Sequence, residues 1–208
     1  MPITYVFKIS IAIDQIPQFR ETLEKRIQAL KPRQLNQFQV QAVVFQATNQ
    51  TAIHQYLHSD YSSTCFSLIE PSTPQQEIKV LTGDIGLASL QRRILDGEKK
   101  ALQLDLIGSA FKLGDFQIKI GTITQNSSNR GLLVEISYCA SNNNDAYGVI
   151  IEFVESHLGL SNSYEMLSNY VKRKAPTANY TPEDTIIQYY DHFNSLRSQT
   201  SQLRSQIN

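Results

Sequence analysis

The amino-acid sequence predicts an α+β fold, a mostly antiparallel β-barrel of about eight strands flanked by about four helices. Short segments with alternating apolar residues follow one another with polar turns between them, as in strands joined as hairpins. Four longer segments have apolar residues at helical spacing. About eight strands are enough to close a barrel whose interior side chains can fill. The alternating strand and helix order of a parallel nucleotide-binding sheet does not occur.

The clearest strand signal is a hairpin over residues 114–139, which we expect to organise the rest of the fold. The apolar positions of its two arms are Phe116, Ile118 and Ile120, then Leu132, Val134, Ile136 and Tyr138. A polar link at residues 125–129, with Gly131 after it, can reverse the chain. A lone hairpin is only marginally stable in water, so other elements must cover its apolar face.

The other strands follow from the same alternation of apolar and polar residues. They are predicted over residues 5–11, 38–47, 53–58, 64–70 and 77–81, and over 102–107 with 110–113 as one strand bent around Gly108. Because most of these strands are consecutive, an antiparallel sheet is expected.

Four helices are predicted from the spacing of apolar residues and from capping residues. Their expected N-caps are Asp14, Asp84, Asp145 and Thr181, and their expected ends lie at Lys31-Pro32, Gly97, Gly159 and Ser198. The last helix has the strongest start signal, because Thr181 is followed by Pro182 and two acidic residues. The whole chain, 1–208, is predicted to be a single domain, with an exposed connector at 160–179 and a frayed tail at 199–208.

Composition limits the possible functions of the chain. Apolar residues make up 41% and charged residues 18% of the 208 residues, and the net charge is zero. A nucleic-acid-binding protein needs a basic surface, so direct DNA binding is the least favoured function. No apolar run approaches the roughly 20 residues of a membrane span, and we expect an intracellular chain with no membrane contact. Cys65 and Cys139 lie in apolar runs and are expected to be buried, reduced thiols.

No pattern in the sequence predicts catalytic, cofactor-binding or metal-binding residues. His54 and His58 would face the same side of a strand, and Asp60 could add one ligand, but no tetrahedral set is complete. Two ordinary half-exposed histidines are the simpler interpretation. Glu135 lies in mid-strand; if it faces inward it needs a partner, either Arg130 or Lys119, and otherwise it forms an exposed cross-strand pair.

The last helix carries the candidate partner-facing residues. Tyr189, Tyr190 and Phe193 supply large amphipathic side chains of the kind that protein interfaces favour. The same stripe could equally close the core of the barrel. A basic segment, Lys172-Arg173-Lys174, is either a solvated loop or a nuclear import signal.

Three segments resemble the family of Mediator complex subunit 20. Residues 115–124 followed by 130–138 are similar to the central signature of that family, and residues 181–197 to a segment near its end. Residues 61–69 resemble its Tyr-x-x-x-Cys-Phe stretch. The matches extend from about Ile53 to Arg197 in the family's order, while the N-terminal strand and helix agree only in pattern.

The resemblance implies a non-enzymatic, nuclear subunit of the Mediator head module, a coregulator of RNA polymerase II transcription. It also implies a β-barrel that pairs with the related barrel of subunit 18 and, through it, with a C-terminal helix of subunit 8, besides other head-module subunits. It implies no catalytic residue and no cofactor. The alternative is a small-molecule-binding or hydrolytic β-barrel that uses its lumen, with His54 and His58 as candidate groups.

Overall fold

The computed structural model describes residues 1–46, 52–70, 78–94, 100–142, 146–161, 163–165 and 179–205. Within these ranges there are ten strands and four α-helices. The strands are β1 (Ile3–Ile9), β2 (Arg33–Gln34), β3 (Phe38–Gln46), β4 (Ala52–His58), β5 (Thr64–Ile69), β6 (Lys79–Asp84), β7 (Lys100–Leu113), β8 (Phe116–Gln125), β9 (Ser128–Tyr138) and β10 (Tyr164–Glu165). The helices are α1 (Ile16–Ala29), α2 (Ile85–Ile94), α3 (Tyr147–Ser156) and α4 (Pro182–Ser205).

All described strands belong to one antiparallel sheet with the order β10-β1-β9-β8-β7-β3-β4-β5-β6, and β2 pairs with β7. The predicted hairpin is confirmed as β8 and β9, in which Lys119 is paired with Glu135. Its turn is tighter than expected, because Asn126 and Ser127 both adopt positive φ, 48° and 64°. Two successive residues with positive φ form the turn whose twist matches that of a hairpin. The α+β class with an antiparallel sheet is therefore confirmed.

The described sheet is open, with β10 and β6 at its edges, and in this respect it differs from the expected closed barrel. Helix α4 contacts β1 through Gln188 and β4 through the ring of Phe193, which stacks on Tyr56. These two strands are five steps apart in the sheet, about 24 Å if the sheet were flat. One helix can reach both only because the sheet curls around it. The helix lies against the inner face of the curled sheet.

The sheet has a hydrophobic core on each of its two faces. On one face, α1 and α3 cover side chains of β1, β8 and β9, including Phe7, Ile118 and Ile136. On the other face, α4 packs against side chains of β1, β3, β4, β5, β7, β8 and β9, including Phe38, Phe66 and Leu106. Alternation along each strand divides its residues between the two cores.

The predicted helix starts are only partly right. Helix α1 begins after a 3-10 turn, with Gln15 and not Asp14 as its N-cap, and Gln15 makes no side-chain capping bond. Asp84 Oδ1 accepts the Gly86 N–H at 2.7 Å at the start of α2, as expected of a cap. Asp184 Oδ2 accepts the N–H of Thr181 at 2.7 Å, which is the backward half of a capping box. Asp145 lies outside the described residues.

The expected connector and tail both contain regular structure. Leu160 is fully buried, and Tyr164–Glu165 pairs with β1 as β10, so the start of the 160–179 segment belongs to the fold. Helix α4 continues past Ser198 to Ser205. The basic segment Lys172-Arg173-Lys174 lies outside the described residues. None of the described helices combines the length and apolar character needed to cross a lipid bilayer.

Candidate functional site: a buried ionic network under the last helix

The candidate partner-facing residues of α4 are buried inside the chain. Tyr189, Tyr190 and Phe193 expose only 0%, 6% and 3% of their surface. Phe193 stacks on Tyr56, and the Tyr190 ring meets the edge of the His54 ring at 4.9 Å between centroids. These contacts correct the partner-facing interpretation in favour of the core alternative, because side chains packed against their own sheet have no area left for another protein.

Glu135 of β9 is the centre of a polar network beneath α4. It is 3% exposed, and both of its carboxylate oxygens accept hydrogen bonds. Oε1 accepts from Lys119 Nζ at 2.7 Å, and Oε2 accepts from the Tyr189 hydroxyl at 2.5 Å and from His58 Nε2 at 3.2 Å. Glu135 therefore faces inward, and its cross-strand partner is Lys119 and not Arg130. His58 and Tyr189 are partners that the sequence analysis did not identify.

Lys119 of β8 joins this carboxylate to a second one near the surface. Its side chain is 1% exposed, and Nζ forms a second ion pair with Asp60, in the turn after β4. The Asp60 side chain is 37% exposed, so the network reaches solvent at one end only. Burying a lysine is costly unless the ammonium group is paired and hydrogen-bonded. The two carboxylates satisfy that condition.

The hydrogen bonds of His58 fix its tautomer. The backbone N–H of Asp60 donates to His58 Nδ1 at 3.1 Å, so Nδ1 is an acceptor without a proton. Nε2 then carries the proton of the neutral ring and donates it to Glu135 Oε2. With His58 neutral, the network contains one lysine cation and two carboxylates, Glu135 and Asp60.

The surroundings of each group hold Glu135 and Lys119 in their charged forms. Burial raises the pKa of Glu135, but Lys119 and His58 together outweigh it and keep the pKa well below the usual range. Burial lowers the pKa of Lys119, but Glu135 and Asp60 outweigh it and the pKa is raised. Burial, followed by the adjacent Glu135 carboxylate, raises the pKa of Tyr189 and keeps its hydroxyl protonated.

The arrangement ties several parts of the fold together. Its members come from the end of β4 and the turn after it, from β8 and β9, and from α4, which are far apart in the sequence. Glu135 already accepts three hydrogen bonds and Lys119 donates to two carboxylates. Neither group is available as a base or an electrophile without breaking the core. We therefore interpret the network as a clamp that fixes α4 to the sheet.

His54 and His58 lie on the same face of β4, as predicted, but both are buried and not half-exposed. Each ring contacts a different carboxylate: His54 Nε2 lies 3.2 Å from Glu70 Oε1, which also accepts from Arg197 at 3.0 Å. In the part of the chain that the structure describes, no group of three or more His, Cys, Asp or Glu side chains has the geometry to hold a metal ion.

The space enclosed by the sheet is filled by side chains of the protein. Large apolar residues surround α4 there, and several are completely buried: Tyr56, Leu68, Leu106, Ile123 and Tyr189. The lumen-based alternative required an open cavity with converging polar groups, so this packing removes its basis.

Of the two expected thiols, Cys65 is buried, whereas Cys139 is exposed, and both are free.

A third buried histidine leads to a prediction of pH-dependent stability. His192 of α4 is fully buried, and its Nε2 donates to the Val6 carbonyl oxygen at 2.9 Å, while Nδ1 has no partner among the described residues. Burial outweighs the Val6 hydrogen bond and lowers the pKa of His192 from 6.5 to about 4. Between these values the unfolded chain binds the proton and the folded chain does not, so stability rises with pH.

We expect His192 alone to remove about 3 kcal/mol of unfolding free energy as the pH falls from 6.5 to 4, at about 1.4 kcal/mol per pKa unit. Urea unfolding at a series of pH values measures this loss. His192→Gln keeps a donor for the Val6 carbonyl but cannot titrate, so its unfolding free energy should fall by about 3 kcal/mol less than that of the unchanged chain over this pH range. The same loss in the variant as in the unchanged chain would contradict the assignment.

Comparisons with known proteins agree with the resemblance seen in the sequence. A family model described as the TATA-binding related factor (TRF) of subunit 20 of the Mediator complex matches residues 1–194. Subunit 20 of the Mediator of RNA polymerase II transcription from Anopheles gambiae is 30% identical over 193 residues, 86% of this chain and 87% of the relative. The Gallus gallus subunit 20 is 28% identical over 195 residues, 88% of each chain.

Two solved structures superpose on much of this chain. A chain of the Schizosaccharomyces pombe Mediator head module superposes with a TM-score of 0.42 at 12% identity, over 79% of this chain and 97% of that one. A Pyrococcus horikoshii protein superposes with a TM-score of 0.49 at 16% identity, over 83% of this chain and 98% of that one. The family model, however, covers nearly the whole described chain. The chain therefore belongs to the family of Mediator complex subunit 20.

Proposed function

We propose that this chain is a non-enzymatic, nuclear subunit of the Mediator head module that acts in RNA polymerase II transcription by binding other subunits. Its direct partner is the related barrel subunit 18, and through it the chain joins subunit 8. The observation that carries this proposal is the match of residues 1–194 to the subunit 20 family. The members of this family are subunits of the Mediator of RNA polymerase II transcription, and the proposal extends that role to this chain.

The buried network supports a scaffolding role. Lys119 and Glu135 are 1% and 3% exposed and already satisfy each other's hydrogen bonds, so these reactive groups stabilise the fold. Helix α4 is fixed in the interior by Tyr189, Gln188 and His192. A sheet that is held rigid from the inside presents its outer strands and helices in constant positions, which lowers the entropy cost of binding a partner.

Co-expression with subunits 18 and 8 from the same organism tests the proposal. We expect the three chains to co-elute in size-exclusion chromatography, with a mass by light scattering equal to one copy of each. This chain should also bind subunit 18 when subunit 8 is omitted, because subunit 8 is proposed to join through subunit 18. The isolated 23.6-kDa chain is the reference for its own elution.

Separate elution of this chain from subunit 18 at micromolar concentrations would contradict the proposed pairing. A matched control uses Lys25→Met, which removes a charge from an exposed helix pair that plays no part in the proposal. That variant should bind like the unchanged chain.

A further inference from the structure

Arg130 lies at an irregular point of the central hairpin. Ile123 of β8 is paired with Gly131 of β9, but Thr124 is paired with Asn129, so Arg130 is an extra residue with no partner across the strands. Such a β-bulge changes the direction in which a side chain points, and bulges are frequent beside functional sites. Here Arg130 and Gly131 both line a surface pocket.

The pocket has a volume of about 460 Å³ and lies where the end of β1 meets the start of β9 and helix α4. Distant parts of the chain contribute to its walls, and the residues that matter for its chemistry are Lys8, Ile13, Arg130, Glu165 and Leu196. Ile13 is 54% exposed, so one wall carries an apolar side chain open to solvent.

Neither cation of the pocket donates a hydrogen bond to a residue that the structure describes. Arg130 Nε is buried and has no acceptor. The Lys8 side chain is only 13% exposed, and its Nζ lies 3.7 Å from Glu165 Oε2, which is too long for a hydrogen bond. Most buried donors in proteins have acceptors, and a buried donor without one costs free energy. The two cations therefore indicate a ligand that accepts hydrogen bonds.

The charges of the pocket indicate a ligand with one negative charge. Lys8 and Arg130 are positive and Glu165 is negative, so one positive charge has no counterion in the pocket. A single carboxylate balances this charge, whereas a phosphate dianion would bring excess negative charge towards Glu165. An arginine can bind a carboxylate through two parallel N–H···O bonds, and such a pair can include the free Nε.

The sequence on either side of the pocket cannot supply this carboxylate. Residues 166–178, which follow Glu165, contain no Asp or Glu, and neither do residues 198–208, which follow Arg197. An acidic side chain from another molecule is then the simplest ligand for Arg130.

We propose that the pocket binds an Asp or Glu side chain of another protein, in a segment whose adjacent apolar residue packs on Ile13. The carboxylate accepts hydrogen bonds from Arg130 and Lys8 and supplies specificity for acidic segments. Contact with Ile13 removes apolar surface from water and adds affinity. The site goes beyond the proposed function and does not depend on it, because its ligand is defined by charge and hydrogen bonding and by no particular subunit.

Titration of the full chain with a capped tripeptide, N-acetyl-Leu-Glu-Leu-amide, tests the site. The Nε–H group of Arg130 gives its own signal in nitrogen–proton correlation NMR spectra. We expect this signal to shift and to saturate with a Kd of about 1 mM at low ionic strength. The glutamine analogue, N-acetyl-Leu-Gln-Leu-amide, should bind at least about tenfold more weakly because it carries no charge.

Arg130→Met distinguishes a binding residue from a structural one. Methionine keeps an apolar side chain of similar reach but removes the guanidinium group, so the Kd for the glutamate peptide should rise at least about tenfold. The Tm should be unchanged or higher, because the variant removes a buried donor that has no acceptor. Arg93→Met is the matched control: Arg93 is exposed and does not line the pocket, so this variant should bind normally.

Three results would overturn the inference. The first is an Arg130 Nε–H signal that does not move up to about 10 mM glutamate peptide in the unchanged chain, a measurement that needs no variant to fold. The second is a lower Tm for Arg130→Met, which would show that the guanidinium group stabilises the fold. The third is tighter binding of inorganic phosphate, titrated in parallel, than of the glutamate peptide. The proposed function would stand in each case, because complex formation with other subunits tests it separately.

Discussion

Replacing Lys119 with methionine is expected to lower the free energy of unfolding by about 3–5 kcal/mol at pH 7. Methionine has a similar length and is apolar, so packing is largely kept. Glu135, however, would remain charged and 3% exposed without its cation, because the His58 ring and the Tyr189 hydroxyl are neutral donors. Asp60 would add a second negative charge nearby. Urea unfolding followed by circular dichroism measures the loss.

A double-mutant cycle separates the ion pair from other effects of this substitution. Lys119→Met with Glu135→Gln removes both buried charges, so the double variant should be more stable than the sum of the two single losses predicts, by about 1–3 kcal/mol. Lys25→Met is the matched surface control, because Lys25 and Glu21 are 2.6 Å apart but 71% and 66% exposed. That variant should lose less than about 1 kcal/mol.

The stability lost in Lys119→Met also shows whether the buried ion pair is needed to hold α4 on the sheet. A loss similar to that of Lys25→Met would show that the buried pair contributes nothing that an apolar residue cannot replace. The interpretation of the network as the connection between α4 and the sheet would then be wrong.

Replacing Gly108 with alanine is expected to destabilise the protein by about 3 kcal/mol. Gly108 of β7 is paired with Gly121 of β8. A Cβ atom at residue 108 would overlap the carbonyl oxygen of Ile120 and lie 2.6 Å from Gly121 Cα. Both obstacles are backbone atoms, which cannot rotate away as a side-chain tip can. The two strands would have to separate at the centre of the sheet.

Gly148→Ala is the matched control for this prediction. Gly148 lies in α3, and an added Cβ there meets no atom within 4 Å. Alanine favours the helix, so this variant should be as stable as the unchanged chain or up to about 1 kcal/mol more stable. Thermal unfolding of the two variants gives the comparison directly. Equal stability of Gly108→Ala and the unchanged chain would contradict the close approach of β7 and β8.

The central hairpin shows how far local pattern reaches. Alternation over residues 114–139 predicts the two strands, their antiparallel pairing and the reversal between them, because each of these depends on neighbours in the sequence. The same pattern offered both Arg130 and Lys119 as partners for Glu135. It could not supply Tyr189, which is 54 positions away along the chain. Only the packing of α4 brings that hydroxyl to the carboxylate.

The aromatic stripe of α4 shows why a partner surface is difficult to recognise in a sequence. A row of tyrosines and phenylalanines at helical spacing has the same appearance whether it faces a second protein or its own core. Here Tyr189 and Phe193 are enclosed because the sheet curls around the helix. By contrast, Leu90 and Ile94 of α2 resemble core residues in the sequence, and the structure leaves both exposed.

By itself the sequence determined the antiparallel α+β class, the four helices, the central hairpin and the resemblance to a family of Mediator subunits. All of these follow from short-range periodicity, from capping residues or from contiguous motifs. The tertiary structure alone decided that the described sheet remains open around α4, that Glu135 and Lys119 face inward, and that no described strand pairs with the outer edge of β6. The physical reason is that periodicity specifies which face of an element is apolar, whereas the element that covers this face is selected by packing between distant parts of the chain.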